Sequence, residues 1–258
     1  MQLTEKHIVT KNNKNYKEID KISFLSKNLY NKGLFLIRQE FINNKKYLDY
    51  RAINRIMIDT KNLDYCALPR KVSNKTLQEL DNNWINFFKA FKSYKKYPER
   101  FLGKPKIPGY KNKDTGRYIV VYEKGAIKKN NILSGTNIKI NTIKNNINQI
   151  RIIPLLNKQY SIDVIYTFET LAIKKAINNI SAIDLGVNNL ATVVSNKAKA
   201  FIINGKPLKS INQFYNKRKA ILQSKLQNKK NTSKNIKKLT VKRNNKIKDY
   251  LHKGSRIL

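Results

Sequence analysis

ISAIDLGVNNLAT, residues 180–192, is the stretch that decides the fold. Its apolar residues predict a buried strand, a tight turn at Asn188 and Asn189, and the start of a second strand. Alternation along the first strand places Asp184 on the same face as Ala182. A lone buried carboxylate is costly unless something pairs with it, and a divalent metal ion is one such partner. Taken by itself, Asp184 could equally be a residue that caps the turn.

The residues that follow continue this pattern with two more strands and a helix. Residues 190–195 and 199–204 predict the second and third strands, and Gly205 ends the third. Pro207 suits the first turn of the helix that comes next. Three consecutive strands and a helix, with an acid in the first strand, are typical of an RNase H-like nuclease fold. We therefore expect Asp184 on the central strand of that sheet, with its side chain on an open face.

The charge of the chain is extreme, because 54 Lys and Arg residues against 16 Asp and Glu residues give a net charge of +38. Residues 185–258 hold 19 Lys and Arg residues and the single acid Asp249, a net charge of +18. Charge at this density repels itself, so we expect a polyanionic partner bound through phosphates with strongly salt-dependent affinity. A membrane surface is the weaker alternative, since no amphipathic helix with a clean apolar face accompanies the charge.

Other classes of protein are disfavoured by what the sequence lacks. The first residues carry no apolar signal core and no run is long enough to span a membrane, so we expect a cytoplasmic protein. Cys66 is the single cysteine. Together with His7 and His252 it cannot supply the four ligands of a structural zinc site, and we expect Cys66 to be a small buried apolar residue.

The N-terminal half of the chain predicts one strand followed by helices. Residues 3–10 have the pattern of a short strand. Apolar residues then recur at helical spacing over residues 16–41, 48–58 and 71–97, with a loop expected at residues 62–69.

Aromatic side chains follow helical spacing on the third of these helices, among them Trp84, Phe87, Phe88 and Phe91. They could form a platform on which bases stack, but packing into a core is the favoured interpretation. The flanking lysines are better candidates for phosphate contacts, namely Lys89, Lys92, Lys95 and Lys96.

A basic hook, residues 101–113, connects the helices to the next part of the chain. Its Gly and Pro residues fix turns while its lysines are expected to point outward, which suits tracking of a nucleic-acid backbone. A plain linker has the same composition, and the two interpretations are compatible. The residues predicted to bind nucleic acid are Lys104, Lys106, Tyr110 and Lys111 in the hook, and Lys217, Arg218, Lys242, Arg243 and Lys246 near the C-terminus.

From residue 117 the apolar pattern has a period of two, which predicts strands. Five short runs separated by Gly and Asn turns are typical of a small β-barrel or sandwich. These runs are residues 118–122, 127–133, 138–140, 147–155 and 160–168.

Residues 184–192 closely resemble the first nuclease motif of the TnpB/OrfB family. Its members are transposon-encoded RNA-guided DNA endonucleases related to type V CRISPR effectors. Further segments are also similar to the family: LPRKVS at 68–73, NWINFFKA at 83–90, FLGKPKIP at 101–108, GKPLKSINQFYNK at 205–217 and KRNNKIKDYLHK at 242–253. The resemblance therefore runs in order over essentially the whole chain.

The resemblance implies an α+β multidomain protein whose partners are guide RNA and DNA. A small β-barrel wedge domain would comprise residues 1–15 and 100–170, with a helical recognition domain, residues 16–99, inserted into it. An incomplete RNase H-like (RuvC-like) nuclease segment with basic helices would follow at residues 178–258.

By the same resemblance, Asp184 is the first catalytic acid and a ligand of a centre that holds two Mg²⁺ ions. Family members add a Glu on a later strand, a four-cysteine zinc ribbon and a final Asp. This chain offers only Asp249 after Asp184, within a predicted basic helix. We therefore expect a chain truncated before those elements and inactive in DNA cleavage by itself.

Two alternatives stay open at this point. The first is a nuclease-dead module that binds RNA and DNA and acts as a competitor or repressor. The second is an unrelated basic RNA-binding protein of the ribosomal type, which the Asp184 motif in its strand–turn–strand setting disfavours.

Overall fold

The computed structural model describes residues 1–144, 146–168, 178–226 and 232–258, in two compact units, Met1–Thr170 and Leu171–Leu258. Its strands are β1 Gln2–Val9, β2 Val120–Glu123, β3 Ile127–Lys128, β4 Ile132–Leu133, β5 Ile147–Leu155, β6 Gln159–Thr167, β7 Ser181–Leu185, β8 Asn189–Ser195 and β9 Phe201–Asn204. Its α-helices are α1 Tyr16–Asn44, α2 Tyr50–Asp59, α3 Leu63–Cys66, α4 Arg70–Lys96, α5 Lys206–Ser224 and α6 Lys234–Ile257. Mixed helix and antiparallel sheet is therefore confirmed as the general class.

The helices of the first unit form where the helical apolar pattern predicts them. Helix α1 buries Leu29, Leu34 and Ile37 against the other helices, because these residues recur on one face. The carboxylate of Asp49 accepts a hydrogen bond from the backbone N–H of Ala52 at 2.9 Å and so caps the start of α2. These helices and the sheet of the same unit share one apolar core.

The sheet of the first unit joins the two ends of that unit. Its order is β1-β6-β5-β2, and every neighbouring pair is antiparallel. Strand β1 pairs with β6 over its whole length, from Gln2 opposite Thr167 to Val9 opposite Tyr160. The four α-helices described in this unit thus lie in sequence between β1 and β2. The described strands form this open sheet and the separate β3–β4 ribbon, and they do not close a barrel.

Four expectations for the first unit are wrong. Residues 127–133, expected as one strand, form β3 and β4, which pair with each other antiparallel because Asn130 and Asn131 adopt left-handed conformations that turn the chain between them. Residues 138–140 form only an isolated bridge between Ile132 and Lys139, because their backbone pairs with this neighbour solely through the Ile138 carbonyl and the Ile140 N–H. The expected loop at residues 62–69 contains the short helix α3, because the Asn62 side chain accepts hydrogen bonds from two N–H groups at its start. Cys66 is exposed rather than buried, since it ends that helix at the surface.

The second unit contains a three-stranded antiparallel sheet followed by α5 and α6. The strand order is β7-β8-β9, so β8 is the central strand and β7 lies at an edge of the described sheet. The expectation that Asp184 lies on the central strand is therefore wrong. The physical reason is that consecutive strands joined by short turns pair in chain order, which leaves the first at the side. Pro207 lies in the first turn of α5, as expected.

A small core covers one face of this second sheet. Ala191, Val193 and Ile203 are buried there, with Leu190 packed against them. Gly254 of α6 lies on the same cluster, where an added Cβ would stand 3.6 Å from Leu190. The C-terminal turns of α6 therefore cover this face. In the described parts of the chain, no helix is both long enough and apolar enough to cross a membrane.

Candidate nucleic-acid interface

Asp184 lies on the other face of the β7–β8–β9 sheet, away from the small core. The strand register sets Asp184 opposite Thr192, and Thr192 opposite Ile202. Every residue of β7 is exposed, so the expectation of a buried strand is wrong. Solvent already stabilises this carboxylate, and it does not require a metal ion as a partner. The expectation of an open face beside residues 190–192 agrees with this register.

The turn after Asp184 is held against the start of helix α5. The backbone N–H of Gly205 donates to the Asn188 carbonyl at 2.7 Å, and the Lys209 ammonium donates to the Asn188 side chain. A Cβ at Gly205 would collide with the carbonyl oxygens of Val187 and Asn188, so only glycine allows this close approach. Hydrogen bonds thus hold the turn of the Asp184 motif against the start of α5.

The acidic residues of this unit do not assemble a metal centre. In residues 1–144, 146–168, 178–226 and 232–258, no group of three or more His, Cys, Asp or Glu residues could hold a metal ion. Asp249 lies in helix α6, as predicted, and its carboxylate is 2.8 Å from the Lys253 ammonium. The residue opposite Asp184 on the neighbouring strand is Thr192, which carries a hydroxyl and no carboxylate. A two-metal site needs several carboxylate oxygens, so these residues do not fit one.

The predicted ligands on α5 and α6 fall into two groups. Lys217, Arg218, Lys242 and Lys246 are exposed and available to phosphates. Arg243 is half-buried and donates from Nε to the Asn212 side-chain oxygen at 2.8 Å.

Arg243 also contributes to the packing between the two helices. Its guanidinium lies 5.5 Å from the ring centre of Tyr215, whose hydroxyl is 3.1 Å from that of Thr240. Arg243 therefore joins α6 to α5, a role that its charge alone does not indicate.

The basic hook presents Lys104 and Lys106 to solvent. Tyr110 is 48% exposed, and the Arg38 guanidinium of helix α1 lies 5.1 Å from its ring centre. Cations beside an exposed aromatic ring are a composition that binds the phosphates and bases of nucleic acids. Two of the predicted lysines and the predicted tyrosine thus lie where a large partner can reach them.

Lys111 differs from the other predicted residues of the hook because its side chain is half-buried. Its ammonium lies 5.2 Å from the ring centre of Tyr30 and 5.4 Å from that of Tyr118. Burial raises the pKa of Tyr118 to about 12, so this ring stays neutral beside the lysine. Lys111 therefore anchors the hook as well as adding charge.

The residues that hold the hook come from helix α1, and the sequence interpretation missed them. Asp20, Lys27, Asn31 and Arg38 are spaced seven, four and seven residues apart, which places them on one face of the helix. The last three contact the hook, whereas Asp20 binds Arg117, four residues beyond its end. We call these four residues the α1 polar row. That spacing was the available signal.

The Lys27 ammonium is the most buried charge of the row, at 2% exposure, and it donates to the Lys113 carbonyl at 2.6 Å. Burial, together with the nearby Arg117 guanidinium, lowers the pKa of Lys27 below its ordinary value. A buried ammonium that donates to a backbone carbonyl holds that part of the chain in place, because leaving either group unpaired is costly.

The aromatic stripe of α4 divides between core and surface. Trp84 is fully buried and packs against Phe41, Phe87 and Phe88, which confirms core packing for this residue. Phe91, two turns further on, is half-buried. The nearby lysines Lys89, Lys92, Lys95 and Lys96 are exposed.

Residues 161–258 match the model of the OrfB_IS605 family, described as "Probable transposase". Among the curated proteins compared, none matches. The match includes Asp184 and all five predicted ligands on α5 and α6.

Two solved structures are similar to the chain. One is a cryo-EM structure of a Cas12f1–sgRNA–target DNA complex, with 13% identity and a TM-score of 0.32, covering 93% of this chain. The other is a cryo-EM structure of a CRISPR-Cas12f ternary complex, with 12% identity and a TM-score of 0.32, covering 91% of this chain. The chain spans 64% and 59% of the lengths of these two proteins.

Proposed function

We propose, from the OrfB_IS605 match that makes this chain TnpB-like, that it descends from RNA-guided DNA endonucleases and binds guide RNA and DNA. The observation that carries the proposal is the match over residues 161–258, which contains both the Asp184 motif and the basic helices. The net charge of +38 supports a polyanionic partner independently of the match.

The proposed organisation follows the family pattern. Residues 1–15 and 100–170 would form the wedge domain, into which the helical recognition domain, residues 16–99, is inserted. The pairing of β1 with β6 supports an insertion, because it brings the two ends of the first unit into one sheet. Residues 178–258 would form the RuvC-like segment.

For the 258-residue chain by itself, we propose binding without DNA cleavage. In the β7–β8–β9 register, the neighbours of Asp184 are Thr192 and, beyond it, Ile202, neither of which can supply a second carboxylate. Mg²⁺ would supply charge stabilisation to a complete two-metal centre, but a single carboxylate holds this ion weakly and mostly through water. A nuclease-dead module that competes for guide RNA or target DNA is the function that this arrangement favours.

The test is a plasmid-cleavage assay with Mg²⁺ or Mn²⁺, with and without co-expressed transposon-end RNA. Wild type and Asp184→Ala should both leave the plasmid intact while both retain RNA binding in a filter assay. Guide-dependent cleavage that disappears in Asp184→Ala would contradict the nuclease-dead proposal and show that further ligands come from elsewhere. If wild type does not bind RNA at any salt concentration, the proposal as a whole is contradicted.

A further inference from the structure

The Asn31 side chain holds both backbone polar groups of one residue in the basic hook. Its Nδ2 donates to the Lys111 carbonyl at 2.9 Å, and its Oδ1 accepts from the Lys111 N–H, also at 2.9 Å. A single side-chain amide thus satisfies the donor and the acceptor of a residue 80 positions away. This is the pairing that a neighbouring strand would otherwise provide.

Two further side chains of α1 bind the hook on either side of this contact. The Tyr30 hydroxyl donates to the Gly109 carbonyl at 3.5 Å, and the Lys27 ammonium donates to the Lys113 carbonyl. The three carbonyls belong to alternate residues, as in an extended segment that turns one edge to its partner. The central contact has two hydrogen bonds where the flanking contacts have one each.

We propose that Asn31 is a positioning residue for nucleic-acid binding. This proposal rests on the proposed function. By holding Lys111, it keeps the hook in one extended course, so that Lys106 and Tyr110 meet the nucleic acid in a fixed arrangement. Pro105 and Pro108 have fixed φ angles, so they also limit the conformations of the backbone between Lys104 and Lys111. The conformational entropy of the hook is then lost when the protein folds, and this loss does not reduce the affinity for nucleic acid.

The test compares Asn31→Ala with wild type in fluorescence anisotropy, using a labelled RNA hairpin with single-stranded flanks. Affinity should fall about tenfold, the effect of losing one well-ordered contact. The slope of log affinity against log salt, measured between about 50 and 200 mM, should also become shallower. Asn31 is uncharged, so a shallower slope means that cations of the hook have lost phosphate contacts.

Asn43→Ala is the matched control, because Asn43 lies exposed on the same helix and contacts only the Gln39 side chain, at 3.4 Å, among the side-chain hydrogen bonds described. It should change neither affinity nor slope. Thermal melting of both variants should stay close to wild type. A large drop in the melting temperature of Asn31→Ala would make it a folding residue and overturn the inference.

A double-mutant cycle separates this inference from the proposed function. The variant Lys104→Gln/Lys106→Gln should weaken binding. The variant that combines these changes with Asn31→Ala should lose less binding free energy than the sum of the losses of Lys104→Gln/Lys106→Gln and of Asn31→Ala measured separately. Additive effects with an unchanged salt slope would overturn the positioning role. If the lysine variant binds as well as wild type while RNA binding persists, the hook is not a ligand and the inference fails, although the proposed function stands.

Discussion

The carboxylate of Asp20 accepts two hydrogen bonds from the guanidinium of Arg117, from Nε at 2.9 Å and from Nη2 at 2.6 Å. The Tyr160 hydroxyl donates to the same carboxylate at 2.6 Å. Asp20 lies in α1, Arg117 precedes β2 and Tyr160 lies in β6, so one carboxylate joins a helix to two distant segments. Fork-to-carboxylate pairs of this kind are among the stronger polar contacts in proteins.

Asp20→Asn should therefore lower the free energy of unfolding by about 1–2 kcal/mol, allowing for partial solvent screening of the pair. The measurement is urea unfolding followed by Trp84 fluorescence, since the single tryptophan reports on the first unit. Glu99→Gln is the control, because Glu99 pairs with Arg100 at 4.0 Å and both side chains are exposed. Equal effects of the two changes would contradict the role given to Asp20.

The stability contributed by Asp20 should depend on pH. Its hydrogen bonds from Arg117 lower the pKa of the Asp20 carboxyl below the ordinary value of 3.8. A lowered folded pKa means that the contribution is fully present above that ordinary value and is lost as pH falls through the folded value. The difference in unfolding free energy between wild type and Asp20→Asn should be constant near neutral pH and shrink in acid. Urea unfolding at a series of pH values measures it, and a difference that grows in acid would contradict the assignment.

Trp84→Ala should lower the free energy of unfolding by about 3–5 kcal/mol, as truncations of fully buried aromatic residues do. Far-UV circular dichroism measures this without the tryptophan signal. Phe91→Ala is the comparison, because Phe91 lies on the same helix but is half-buried, and a smaller loss is expected. Unchanged stability of Trp84→Ala together with weaker RNA binding would instead support base stacking by Trp84.

Lys242→Glu/Lys246→Glu should weaken RNA binding and make its salt dependence shallower by roughly one or two phosphate contacts, with little change in melting temperature. Both side chains are exposed on α6. Lys11→Glu, an exposed charge reversal in the turn before α1, should have less effect on binding.

Arg243→Glu should lower the melting temperature as well as the affinity for RNA. The reason is that it removes the contacts to Asn212 and Tyr215 that join α5 and α6. Differential scanning calorimetry checks this, and melting equal to that of the Lys242→Glu/Lys246→Glu variant would show that these contacts contribute little.

Local patterns in the sequence predicted the elements of this fold with small shifts at their ends. Apolar spacing located α1, α2 and α4, and alternation located β5, β6 and the three strands around Asp184. These predictions succeed because helix and strand formation depend on which neighbours along the chain share one face. They fail for α3, where capping by the Asn62 side chain decides, and for residues 138–140, where the structure forms a single bridge between Ile132 and Lys139.

By itself, the sequence determined the elements, a basic charge that predicts a polyanionic partner, and a motif with one acid. Only the tertiary structure decided that β7 lies at an edge with Asp184 exposed, that Arg243 joins two helices and that Asn31 holds the basic hook. These outcomes depend on pairings between residues far apart in the chain, such as Asn31 with Lys111 and Asp20 with Arg117. Periodicity places Asp20 and Asn31 on one face of α1 but does not identify what they bind, because a charged or amide side chain has the same pattern whether it meets solvent, nucleic acid or its own chain.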